Sequence, residues 1–145
     1  MPDGLASALQ AEIIARDAAD ELERAGIGRE DAFQLDRSVR RTRITWIDGT
    51  TEAQAALLAW TETLRTNLNR DLMLGLFEFE VSFAVYPPGG FYDRHLDSFV
   101  GARNRVVSFV AYLNDDWSDE DGGGLAIWPE GATADASPIA RIAPE

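Results

Sequence analysis

The sequence contains one histidine, His95, and a carboxylate follows it two residues later at Asp97. In a β-strand, residues i and i+2 point to the same face, so an imidazole and a carboxylate at this spacing can aim at one point. Such a pair supplies two of the three groups in the 2-His-1-carboxylate arrangement, which holds non-haem Fe(II) and leaves coordination positions open. By itself H-x-D is a short motif, and a single histidine is more often a hydrogen-bonded structural residue than a ligand. Ser98 or Ser108 could complete a Ser-His-Asp set by residue type, but no G-x-S-x-G elbow presents either serine. Acids are abundant enough for a glycosidase pair, and nothing singles one pair out. The acidic loop Asp115–Gly122 fails the EF-hand pattern. Counted from Asp116, the glycine position is Asp121 and the bidentate position is Ile127. It reads as a solvated acidic turn.

Composition narrows the classes further. The 145 residues suit one domain, and 46% hydrophobic content can supply a core. With no cysteine, disulfides, thiolate metal sites and cysteine nucleophiles are excluded. All 13 basic residues are arginine, which excludes a lysine Schiff base or a P-loop lysine. A formal charge of −12 repels phosphate backbones and argues against a nucleic-acid partner. Arg37, Arg40, Arg41 and Arg43 cluster, and read as a solvated strand edge. No stretch is long and apolar enough to span a membrane, and the N-terminus lacks the basic start and apolar run of a signal peptide. The expectation is a cytoplasmic protein.

The elements that must position His95 and Asp97 follow from hydrophobic period. Leu5, Leu9, Ile13, Ala18, Leu22 and Ala25 predict an amphipathic helix over 5–25, with Gly26 as its stop and Gly28 beyond. Residues 29–38 read as irregular. VRRTRITWI at 39–47 alternates as a strand, with Ile44 and Trp46 on one face and Arg43, Thr45 and Ile47 on the other. Asp48-Gly49 signals a turn, and Thr51 to Gln54 a capping box opening a helix to about Leu72. Its stripe is Leu57, Leu64, Leu68 and Leu72. FEFEVSFAVY at 77–86 alternates cleanly: Phe77, Phe79, Val81, Phe83 and Val85 face the helices, and Tyr86 faces away. Pro87-Pro88-Gly89-Gly90 breaks that strand. Short strands are predicted at 91–97, at 105–113 and at Leu125–Trp128, and the tail beyond Gly131 has few bulky residues. Helices followed by many short strands give an α+β class or a helix-buttressed β-barrel.

Four segments, in order, raise the specificity of this reading: ITWIDG at 44–49, YPPGGFYDRHLD at 86–97, RVVSFVAYLNDDW at 105–117 and GGGLAIWPEG at 122–131. Together they resemble the prolyl-hydroxylase branch of the Fe(II)/2-oxoglutarate dioxygenases, in particular the hypoxia-type prolyl hydroxylases and their bacterial relatives. The resemblance implies a double-stranded β-helix, or jelly roll, buttressed by N-terminal helices. It implies His95 and Asp97 as metal ligands, and Tyr86, Tyr112 and Leu125 in the 2-oxoglutarate pocket. Trp46, Tyr92 and Arg105 would line the substrate entrance. The implied cofactors are Fe(II), 2-oxoglutarate as cosubstrate and O2, with ascorbate as a possible reductant. The implied reaction is hydroxylation of a prolyl residue in a protein substrate, or of a small molecule.

The family pattern continues with a second histidine and then an arginine for the 2-oxoglutarate carboxylate. Neither is matched within these residues, because His95 is the sole histidine and Arg141 does not match that arginine. The expectation is therefore a single dioxygenase-like domain over 1–145, incomplete at its C-terminus and without the last barrel strands. Such a chain should bind Fe(II) weakly and turn over 2-oxoglutarate inefficiently alone. The alternative from another class is a non-catalytic jelly-roll module binding a small acid or a partner protein.

Overall fold

A computed structural model describes residues 1–26, 38–97 and 105–144. The expectations for Ser98, Arg37, Gly28 and residues 29–37 fall outside the described residues. The chain divides into two units, Met1–Val110 and Ala111–Glu145.

In the first unit, helix α1 spans Leu5–Ala18 and buries Leu5, Leu9 and Ile13, the i, i+4 face expected from the sequence. It ends well before the predicted residue 25. Asp20 adopts φ 57°, Glu21 N–H donates to Arg16 O, and Asp20 N–H donates to Asp17 O. These are the two bonds of a Schellman motif, with aspartate in the left-handed position that glycine more often takes. Leu22 and Ala25 are buried all the same. They get there through strand β1 (Glu23–Arg24), so their burial was legible and their conformation was not.

Strand β2 (Arg43–Trp46) is central in a three-stranded antiparallel sheet, between β1 and β3 (Ser82–Val85). Arg43 pairs with Val85 and Trp46 with Ser82. The pairing resumes beyond Pro87–Gly90: Arg40 bridges Tyr92, Arg41 N–H donates to Phe91 O, and Asp93 N–H donates to Val39 O. The Pro-Pro-Gly-Gly stretch is thus an excursion from one ladder. Gly89 has φ 70° and Gly90 N–H donates to Pro87 O, the pattern of a type II turn with proline second and glycine third. A Cβ on Gly90 would lie 2.7 Å from Pro87 O and 2.9 Å from Arg41 O, so the two backbones meet only because this residue is glycine.

Helix α2 (Glu52–Leu72) starts and ends as predicted. Thr51 Oγ1 accepts from Gln54 N–H, which is the expected cap. The reciprocal half of the box does not form. Gln54 is fully buried, and its Oε1 accepts from the N–H groups of Asp48 and Gly49. Its Nε2 donates to Glu12 Oε1, while Thr51 Oγ1 donates to Glu12 Oε2 and Arg16 Nε donates to Glu12 Oε1. This network ties α1, the Asp48-Gly49 turn and the start of α2 together. Burial alone would raise the Glu12 pKa, but the bonds from Thr51, Gln54 and Arg16 outweigh it and hold the carboxyl below its ordinary range.

Besides β2, which is shorter than the predicted 39–47, three predicted strands are shorter or missing. Over 77–86 only Ser82–Val85 is a strand. Phe83 is 5% exposed whereas Phe77 is 93% exposed, so the expected apolar face packs only where β2 supplies a ladder. Residues 91–97 contribute one bridge rather than a strand. Residues 105–113 form no strand, and Val106, Phe109 and Val110 are exposed. Alternation marks the faces a strand would have, but a strand also needs a neighbour to bond.

In the second unit, β4 (Leu125–Ile127) pairs antiparallel with β5 (Ala140–Ile142). β5 lies in the tail, a stretch of few bulky residues with no predicted strand. The acidic loop contains one 3-10 turn, Asp119–Asp121. Asp121 accepts from both the backbone N–H and the hydroxyl of Ser118, and these bonds hold its pKa low. Asp119, Glu120 and Asp121 are all exposed, as in a solvated turn. No helix among the described residues is long and apolar enough to cross a membrane.

Candidate metal centre

His95 and Asp97 come together as the spacing predicts, though without a strand. His95 Nε2 lies 3.1 Å from Asp97 Oδ1. The other ring nitrogen donates to the Asp93 carbonyl, with Nδ1 to O at 2.7 Å. A carbonyl can only accept, so Nδ1 carries the proton and the Nε2 lone pair of a neutral ring faces the carboxylate. Two facing lone pairs require a cation between them, either a proton or a metal ion. Two N/O ligands each about 2.1 Å from a metal ion and at right angles stand about 3.0 Å apart. The observed separation is the spacing of adjacent ligands. A histidine whose distal N–H is held by a backbone carbonyl is the usual ligand arrangement. The two donors thus fit the iron-binding face by chemistry and by spacing. Among the described residues no group of three His, Cys, Asp or Glu side chains could hold a metal ion, and His95 and Asp97 offer two potential donors.

Neighbouring side chains orient this pair. Tyr92 stacks on the His95 ring, with centroids 3.6 Å apart and planes at 16°. Arg40 Cζ lies 4.4 Å from the Tyr92 centroid, and Arg40 is itself held by Thr42 Oγ1 and Gly26 O. Ser108 Oγ donates to Asp97 Oδ2. Arg105 Nη1 is 4.0 Å from Asp97 Oδ1. The sequence reading did not give Arg40 or Ser108 these roles. Their signals were present in the Arg40–Tyr92 register and in the position of Ser108 on the alternate face of 105–113, but both need a tertiary contact to be read. The arginine cluster is likewise more than a solvated edge. Arg43 Nη2 pairs with Asp17 at 2.7 Å, and Arg41 lies over Phe91.

The remaining candidates have the following surroundings within their own units. Trp46 is six residues along the ladder from Arg40, about 20 Å at 3.3 Å per residue. It is 56% exposed beside a shallow cavity of about 220 Å³ shared with Arg16, Glu21, Glu23 and Asp48. Tyr86 directly follows β3 and is half exposed. In the second unit, Tyr112 Oη donates to Gly123 O, two residues before the exposed Leu125.

Comparison with known proteins bears on this arrangement. The family model of the 2OG-Fe(II) oxygenase superfamily matches residues 81–145, the part that holds His95, Asp97 and Tyr112. Egl nine homolog 1 of Homo sapiens is 34% identical over 104 residues, or 66% of this chain and 24% of the human protein. The chain thus spans about a quarter of that relative's length. A crystal structure of a Pseudomonas putida prolyl-4-hydroxylase superposes with TM-score 0.77 at 38% identity, covering 99% of this chain and 70% of that one. With that coverage, and with a His-x-Asp pair at ligand spacing, the chain belongs to the 2OG-Fe(II) oxygenase superfamily as a prolyl-hydroxylase-like member.

Proposed function

We propose that this chain is the metal- and cosubstrate-binding part of an Fe(II)- and 2-oxoglutarate-dependent dioxygenase that hydroxylates a prolyl residue of a protein substrate. The observation that carries the reading is the His95–Asp97 pair, with Nε2 and Oδ1 at adjacent-ligand spacing and the imidazole tautomer fixed by Asp93. Prolyl hydroxylase similarity over nearly the whole chain supports the reaction class. His95 and Asp97 would hold the iron, which supplies the oxygen-activating chemistry when bound. Tyr92 and Asp93 keep the ring oriented. Tyr86 and Tyr112 are proposed to donate phenolic hydrogen bonds to 2-oxoglutarate, with Leu125 as an apolar wall. Arg105, 4.0 Å from Asp97, and Tyr92 are proposed to border the substrate approach, and Trp46 a more distant part of it. The domain is proposed to be a jelly roll buttressed by its N-terminal helices. Ascorbate as reductant and a cytoplasmic location belong to the same proposal.

The cosubstrate reading is tested by calorimetric titration of 2-oxoglutarate with and without Mn(II) as an inert stand-in for Fe(II). Binding should require the metal, and Tyr112→Phe should weaken it about tenfold or more, the worth of a hydrogen bond to a charged group. Equal binding without metal would instead support a module that merely binds a small acid.

A further inference from the structure

The two oxygens of Asp97 have different surroundings. Oδ1 lies 3.1 Å from His95 Nε2, and Oδ2 accepts from Ser108 Oγ. The terminal torsion of a carboxylate is broad, so an unrestrained aspartate could offer either oxygen, or both. A hydroxyl donor on one oxygen removes that freedom. Arg105 cannot do the same, because at 4.0 Å it makes a charge contact rather than a directional bond.

We infer that Ser108 is a positioning residue, which holds Asp97 Oδ2 so that the carboxylate presents Oδ1 alone beside His95 Nε2. The inference rests on the metal-site reading above. It also gives a physical reason for a hydroxyl at this point of an otherwise apolar stretch, Val106-Val107-Ser108-Phe109-Val110. A donor reaching from 105–110 to 93–97 fixes the second ligand of the pair, as the Asp93 carbonyl fixes the first. Outer contacts of this kind set ligand orientation and basicity.

The test is an electron paramagnetic resonance titration of Mn(II), the metal alone, into the 145-residue protein. Ser108→Ala should weaken Mn(II) binding about tenfold or more, and Ser108→Thr, which keeps the hydroxyl, should stay within about threefold of wild type. Thermal unfolding of the metal-free proteins separates positioning from folding, and Ser108→Ala should leave that midpoint unchanged. Equal Mn(II) affinity in wild type and Ser108→Ala would overturn the inference alone. Equal weakening in Ser108→Ala and Ser108→Thr would overturn it too, because the hydroxyl would then be irrelevant. A wild type that holds no Mn(II) would overturn the metal-site reading and the inference together.

Discussion

Replacing Gln54 with leucine probes the point where two helices and a turn are fastened together. The glutamine is fully buried and makes three side-chain bonds: it accepts from Asp48 N–H and Gly49 N–H and donates to Glu12. Leucine matches the volume and removes all three. Each group left without its partner costs about 1–3 kcal/mol, and the Glu12 carboxylate lies at the upper end because it is charged. The turn amides lie nearer the surface and recover part of their loss from water, so the total should be about 3–5 kcal/mol. In a protein of this size that is a fall of roughly 8–15 °C in Tm. Urea and thermal unfolding would read it. Gln54→Glu supplies a sharper contrast, because it keeps the acceptor for the two amides but sets a second carboxylate against Glu12. Its deficit should shrink as pH falls and one carboxylate takes a proton to share. A Gln54→Leu protein within about 1 kcal/mol of wild type would mean that the buried groups find water freely and that the network adds little stability.

Glu12 gives a pH signature of its own. Its folded pKa lies below the ordinary value of 4.5, so its stabilisation is fully present above that value and is lost as pH falls through the depressed one. The stability gap between wild type and Glu12→Gln should therefore be widest near neutrality and close in acid, measured as urea midpoints across the range. Gly90→Ala should destabilise by about 1–3 kcal/mol, because the new methyl meets backbone oxygens that cannot swing aside. It should also weaken Mn(II) binding by moving Tyr92 and His95, whereas Gly89→Ala, with open space but positive φ, should affect stability more than metal. A Gly90→Ala protein with wild-type midpoint and affinity would remove that turn from the account.

Local signals were read correctly where the physics is local. The cap of α2 at Thr51, its end at Leu72, and the Leu5, Leu9, Ile13 face each depend on residues within a few positions. Reading failed where a neighbour decides. Phe83 and Phe77 have the same pattern, yet β2 runs beside one and not the other. The end of α1 rests on an aspartate at φ 57°, a position that glycine would have announced. The stretch 105–113 looks like a strand in sequence and lacks that form here, because alternation describes side chains and a ladder requires a second backbone. The closeness of His95 and Asp97 was legible from their spacing. The pair's supports, Ser108, Arg40 and the Asp93 carbonyl, were not, because they approach from other segments or through the main chain.

His95 and Asp97 are proposed to bind iron together with 2-oxoglutarate. Anaerobic addition of Fe(II) and 2-oxoglutarate to wild type and to His95→Ala, followed by visible absorption, decides the matter. A metal-to-cosubstrate charge-transfer band is expected in wild type and not in His95→Ala. No band in either protein, or the same band in both, would overturn the metal site.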